Sequence, residues 1–238
     1  MVPAPRVEAA AKLPIFPPWF DLLVKILGPV GAFGGVHALA VIYLGFSPLT
    51  IDVGYEPHQP VPYSHRLHAG ELGLDCRYCH NTVEVSSQAS IPPTATCMNS
   101  HASVRTTSKK LEPVRDSFAS GDPIQWVRVH DLSDFAFFNH SAHVTRGIGC
   151  VTCHGRIDRM EIVHQEKKLS MGWCLDCHRD PEPNLRPKDQ VTNMGWKAAD
   201  FGPSVKDPQT RMTQDELGKL LRAEYQINPS TSCSACHR

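Results

Sequence analysis

The sequence predicts a mostly irregular and α-helical fold with one N-terminal transmembrane helix, and three observations predict it. The pattern Cys-x-x-Cys-His occurs four times, at CRYCH (Cys76, Cys79, His80), CVTCH (Cys150, Cys153, His154), CLDCH (Cys174, Cys177, His178) and CSACH (Cys233, Cys236, His237). A run from Ile26 to Phe46 carries no formal charge. Twenty prolines and 16 glycines in 238 residues leave few long uninterrupted stretches for regular structure.

Cys-x-x-Cys-His is the attachment signature of c-type haem. Two thiols add across the haem vinyl groups, and the adjacent histidine offers an axial nitrogen to iron. Eight of the nine cysteines lie in these motifs, and the ninth is Cys97. A zinc site or a secreted disulfide framework would also use paired cysteines, but neither calls for a histidine after every pair. Formal charge is zero, with 24 basic and 24 acidic residues, so there is no basic field of the kind that binds nucleic acid. Part of the 41% hydrophobic share belongs to the membrane stretch. Several haems, as large apolar discs, would supply the missing core much as metals do in small scaffolds.

The uncharged run is long enough to cross a bilayer as a helix. Arg6, Lys12 and Lys25 precede it against Glu8 and Asp21, whereas Asp52 and Glu56 follow it. The positive-inside rule then places residues 1–25 in the cytoplasm, 26–46 in the membrane and 47–238 in the periplasm, the side on which c-type haem is attached. A cleaved signal peptide is the competing reading, but no A-x-A site follows the run. Gly31 and Gly35 have the spacing that lets membrane helices approach closely, although glycine is also simply common in such helices. His37, in mid-span, is expected to bond a neighbouring helix, with a role near quinone as the alternative.

Two stretches form a repeat: YSHRLHAGELGLDCRYCH (Tyr63 to His80) and FNHSAHVTRGIGCVTCH (Phe138 to His154). Each runs aromatic, x, His, x, x, His, then Gly-x-x-Cys-x-x-Cys-His. The next cysteine follows 17 residues after His80, at Cys97, and 20 after His154, at Cys174. The repeat units therefore cover about 63–110 and 138–180, with a C-terminal haem segment at 213–238. This maps TCMNSH onto WCLDCH, with Ser100 in the place of Cys177 and His101 in that of His178. A fifth haem is expected there, held by one thioether through Cys97. A sequence error concealing a true cysteine is the rival.

Five low-spin haems need five distal ligands. The pairs His65/His68 and His140/His143 supply four, and since two histidines three apart cannot easily flank one iron, each pair would serve two haems. His130 is the best fifth, against His58, His164, Met171 and Met194.

The unit F/Y-x-H-x-x-H followed by C-x-x-C-H resembles the class III multihaem cytochromes c. That resemblance implies that His65 pairs with His80 and His140 with His154, while His68 and His143 cross to other haems. SHRLHAGELGLDCRYCH, IPPTATCM, FNHSAHV, MGWCLDCHRDPEP and CSACHR behind one anchor resemble more closely the ActA-type pentahaem cytochrome c subunits of bacterial alternative complex III, over nearly the whole chain. The resemblance implies a multihaem cytochrome c fold and a place in a quinol:electron acceptor oxidoreductase of the bacterial inner membrane. It also implies an iron–sulfur subunit and a monohaem cytochrome c as partners, and no substrate site in this chain. CMNSH departs from the family's C-x-x-C-H. The competing functions are a multihaem reductase with an open haem and a self-sufficient quinol dehydrogenase.

Outside the motifs, IPPT (91–94) and residues 181–208 read as proline-bearing connectors. TQDELGKLLRAEY, from Thr213, opens as a capping box and continues with helical period; Leu217, Leu220, Leu221 and Tyr225 would form its buried stripe. Arg105, Lys109, Lys110 and Arg115 would form a docking patch, a solvated face or partners for haem propionates.

Overall fold

The computed structural model describes residues 16–46, 52–200 and 212–237. The chain divides into two compact units, Met1–Thr50 and Ile51–Arg238.

The described residues of the first unit form one helix, α1 (Pro18–Gly45), with Pro18 in the first turn, where a missing backbone N–H costs nothing. It starts eight residues before the uncharged run and so takes in Asp21 and Lys25. At 28 residues it is about 42 Å long, more than the ~30 Å of a bilayer's hydrocarbon core. Within Trp19–Gly45 an 18-residue window has a mean hydropathy of 1.6, and apart from the half-buried Phe20 its apolar side chains are exposed. By length and composition the helix can cross a membrane. Near its start Phe16 stacks on Phe20 at 4.4 Å, with Trp19 set edge-on.

In the second unit the described residues form short helices and no strand; one isolated antiparallel bridge joins Ile148 to Leu185. The attachment motifs are themselves helical turns: α2 (Cys76–Cys79), α3 (Thr94–His101), α6 (Cys150–His154), α7 (Met171–Arg179) and α9 (Cys233–Cys236). Between them come α4 (Glu112–Ser120) and α5 (His140–Val144). Such short helices are not stable alone, and local caps start several of them. The Asp75 side chain accepts from the Arg77 N–H at α2, Asn139 from Ala142 at α5, and Ser170 from Trp173 at α7. The first H-x-x-H pair lies on a π-helical turn, Arg66–Glu71, with His65 as its N-cap.

The polypeptide's own core is small. It centres on α8 (Gln214–Glu224), whose capping box between Thr213 and Glu216 forms as the sequence predicts. Leu217 and Leu221 are buried against Leu185 and Ala198, with Ile148, Trp196, Met212, Tyr225 and Ile227 around them. Leu220, expected in this stripe, is instead 46% exposed. The reason is the backbone of Glu182, which passes so close over Gly218 that a Cβ there would overlap its carbonyl; the contact face therefore runs Leu217, Gly218, Leu221 and turns Leu220 outward. The Gln214 amide donates to the Glu182 and Leu185 carbonyls at 3.0 and 2.8 Å, and Arg222 pairs with the Glu182 carboxylate at 2.7 Å. Elsewhere Tyr78, Val85, Ile91, Val104, Phe135 and Phe137, which flank the motifs, are exposed. A unit of this size ordinarily buries such surface.

Candidate haem sites

None of the nine cysteines is paired in a disulfide. Neighbouring motifs bring them together. The thiols of Cys76 and Cys150 hydrogen bond, which pushes Cys76 up and Cys150 down. Burial raises Cys79 and, next, the charge of Cys97 does so. Cys153 is pushed up to about 12 by burial first and then by Cys177 and Cys174, while Cys174 is raised by burial and by Cys236. Through-space charge effects thus link Cys79 with Cys97, Cys153 with Cys174 and Cys177, and Cys174 with Cys236.

Seven of the ten histidines singled out in the sequence hold Nδ1 against a backbone carbonyl. Among the motif histidines, His80 donates to Ser90 at 2.9 Å, His101 to Val104 at 3.1 Å, His178 to Ser230 at 2.7 Å and His237 to Phe135 at 3.0 Å. Among the H-x-x-H pairs, His68 donates to Ser64 at 2.8 Å, His140 to Ser87 at 3.0 Å and His143 to Asn139 at 2.7 Å. A carbonyl only accepts, so Nδ1 carries the proton and Nε2 keeps its lone pair, the form in which imidazole ligates iron. The other three have buried ring nitrogens without a partner: Nδ1 of His65, Nδ1 of His154 and Nε2 of His130. Burial lowers all three, His154 to about 3 and His65 to about 4, so their rings are neutral at neutral pH.

Ring spacing provides a further test of fit. An iron that takes a nitrogen at about 2 Å on each face sets its two imidazole centroids about 6 Å apart. His68 and His101 lie 6.2 Å apart, His143 and His178 6.1 Å, and His140 and His154 6.5 Å with planes 11° from parallel. The side chains present therefore fit haem at these positions. In each repeat the second histidine faces the motif that follows in the chain. The repeat's aromatic residue holds both histidines of its pair: Tyr63 stands edge-on to His65 and stacks on His68 at 4.4 Å, as Phe138 does to His140 and on His143 at 4.5 Å.

His130 lies beside a motif histidine. Its ring is 4.4 Å from that of His154, too close for the two to share an iron, while the ring neighbour of His237 is Phe135 at 5.7 Å. His164 points Nδ1 at Glu56, 3.4 Å away. Met171 is exposed and Met194 buried.

No family model matches the chain. Over 185 residues it is 32% identical to the multiheme cytochrome c subunit of menaquinone reductase from Nitratidesulfovibrio vulgaris, covering 77% of this chain and 78% of that protein. The chain belongs to the multihaem cytochrome c subunits.

Other features of this multihaem cytochrome c carry no motif. Arg186, a buried cation beside Cys150, falls in a stretch that reads only as connector. The carbonyls that orient His140, His178 and His237 come from 53, 52 and 102 residues away. Arg115, by contrast, stands in the basic cluster noted in the sequence; it donates through Nη2 to the Ser108 carbonyl at 3.0 Å and keeps a buried Nη1 without a partner, which favours an internal role for it over a solvated one.

Proposed function

We propose that this subunit is the electron relay of a membrane quinol:electron acceptor oxidoreductase of the alternative complex III kind, with five c-type haems and no substrate site of its own. The observation that carries the reading is the set of three histidine pairs at 6.1–6.5 Å, two of which tie one attachment motif to the next. Cys76/Cys79, Cys150/Cys153, Cys174/Cys177 and Cys233/Cys236 would each hold a haem by two thioethers, and Cys97 one haem by a single bond. His80, His101, His154, His178 and His237 would be the proximal ligands. His65, His68, His140 and His143 would be distal ligands, His65 opposite His80. His130, with Nε2 buried and unpartnered, is the candidate for the fifth, at an iron other than that of His154.

When bound, haem supplies reversible one-electron redox chemistry. The chain does the holding. Backbone carbonyls fix seven of the imidazoles in the ligating tautomer, burial lowers His65, His130, His143 and His154 and so favours their neutral form, and an H-x-x-H pair on one short turn commits two sites to close spacing. Electron tunnelling needs that, because its rate falls steeply with separation. Helix α1 would anchor the subunit in the bacterial inner membrane, residues 1–25 on the cytoplasmic side and the haem domain in the periplasm. There it would take electrons through an iron–sulfur subunit and pass them to a monohaem cytochrome c or a terminal oxidase.

The name of the relative, a menaquinone reductase, favours a second reading in which the same relay runs toward quinone. Stopped-flow mixing of the intact complex with menaquinol decides between them: haem reduction within the enzyme's turnover time supports the first, and reduced haems that are oxidised by menaquinone support the second. Full-rate reduction of the isolated subunit by quinol would overturn both, since the subunit would then be a dehydrogenase in its own right.

A further inference from the structure

Arg186 is 7% exposed, and among the described residues no carboxylate lies within ion-pair distance of it. Its Nη1 donates to the carbonyls of Asn193 at 2.9 Å and Gln190 at 3.5 Å, and its Nε is buried with no partner. The guanidinium carbon sits 5.2 Å from the centre of the Trp196 ring. Carbonyls and an aromatic face spread its charge without cancelling it, and a guanidinium stays protonated even when burial opposes it. Burying a cation is costly unless something compensates it, so its place in the fold asks for a reason.

That place is the start of α6. The guanidinium lies flat on Gly149, the residue before Cys150, so closely that any Cβ there would overlap Cζ and Nε. Gly149 has ordinary backbone angles, φ −72° and ψ 141°, so room for the arginine is what requires glycine. Two backbone bonds clamp the segment to the motif: the Arg186 N–H donates to Gly147 at 2.9 Å and the Cys150 N–H to Val191 at 3.1 Å.

We propose that Arg186 is the residue that tunes the haem attached at Cys150 and Cys153, holding its reduction potential above the value the same site would have without the charge. A fixed positive charge in a low-dielectric interior disfavours the oxidised, more positive iron and favours the reduced one. The site belongs to the middle motif of the five in chain order, where a raised potential would make a resting point for an electron in transit. The inference rests on haem attachment at this motif and not on the direction of electron flow.

Redox titration of the holoprotein, followed in the visible spectrum with haem content measured in parallel, tests it on Arg186→Lys, Arg186→Gln and Arg186→Met. The expected result is one of the five midpoint potentials shifted downward in the Gln and Met variants, with the other four unmoved and all five near wild type in the Lys variant. If neither neutral variant loads five haems but Arg186→Lys does, the same dependence on charge is read at assembly. Five unchanged potentials in a fully loaded neutral variant would overturn the proposal. So would a Lys variant that shifts as far as Gln or also loses a haem, since shape and not charge would then be what matters. A wild type without haem at Cys150/Cys153 would instead refute the attachment itself.

Discussion

Replacing His143 with alanine removes one nitrogen from a pair whose rings stand 6.1 Å apart. If His143 and His178 flank one iron, His143→Ala leaves that iron five-coordinate and converts one haem of the five to high spin. The variant should otherwise hold together. What it loses in packing is chiefly the stack of His143 on Phe138 at 4.5 Å, worth about 0.5–1.5 kcal/mol, and the bond from Nδ1 to the Asn139 carbonyl at 2.7 Å, worth about 1 kcal/mol. A new high-spin signal would thus not come from unfolded protein. Low-temperature electron paramagnetic resonance reads the fraction, with pyridine haemochrome fixing the total. His164→Ala, whose ring nitrogen Nδ1 faces Glu56, serves as the control and should remain wholly low spin. A wholly low-spin His143→Ala spectrum would refute the pairing, and loss of two low-spin haems would show that His143 does more than complete one site.

Leu217→Ala should cost about 2–5 kcal/mol because the side chain is 0% exposed at the centre of the small protein core, while Leu220→Ala should stay within about 0.5 kcal/mol; equal shifts in calorimetry of the holoprotein would contradict the packing described. Ser100→Cys should add a second thioether at the Cys97 site, leaving no alkylatable thiol in the denatured holoprotein and moving part of the haemochrome band to shorter wavelength as a vinyl group is consumed. A new free thiol with an unmoved band would argue against haem there. The Asp75 carboxyl is held at about 2 by the Arg77 side chain first, and further by the Arg77 N–H and the Thr192 hydroxyl. Its folded value is depressed, so its contribution is complete above the ordinary carboxylate value of about 4 and is lost as pH falls from there through about 2. Circular dichroism of acid unfolding should show Asp75→Asn less pH-sensitive than wild type across that window; identical curves would remove Asp75 from the account.

What the sequence made legible was chemistry written in adjacent residues. Cys-x-x-Cys-His keeps its groups within five residues, so the motifs could be read locally, as could the Thr213/Glu216 cap, while their helical form is what the structure adds. The aromatic-x-His-x-x-His repeat was visible, and the structure adds why an aromatic residue belongs in it: one ring packs both imidazoles. Illegible were features decided by distant chain. Leu220 has the right period for a buried stripe, yet Glu182, about 35 residues earlier, selects the neighbouring face through Gly218. The start of α1 at Pro18 was missed because charge, not helix propensity, bounded the expected span. Which motif His130 lies beside had no local signal, and packing sets its ring against His154. Arg186 had no signal at all: a lone arginine in a proline-rich connector looks like surface until Gly149 is seen beneath it.

The central claim is that iron porphyrins joined to these cysteines form the interior of the second unit. Intact mass spectrometry of the purified holoprotein tests it most directly, predicting the 26.4 kDa polypeptide plus five haems with one of them carried on the Cys97 peptide after proteolysis. A mass corresponding to fewer than four haems would contradict it.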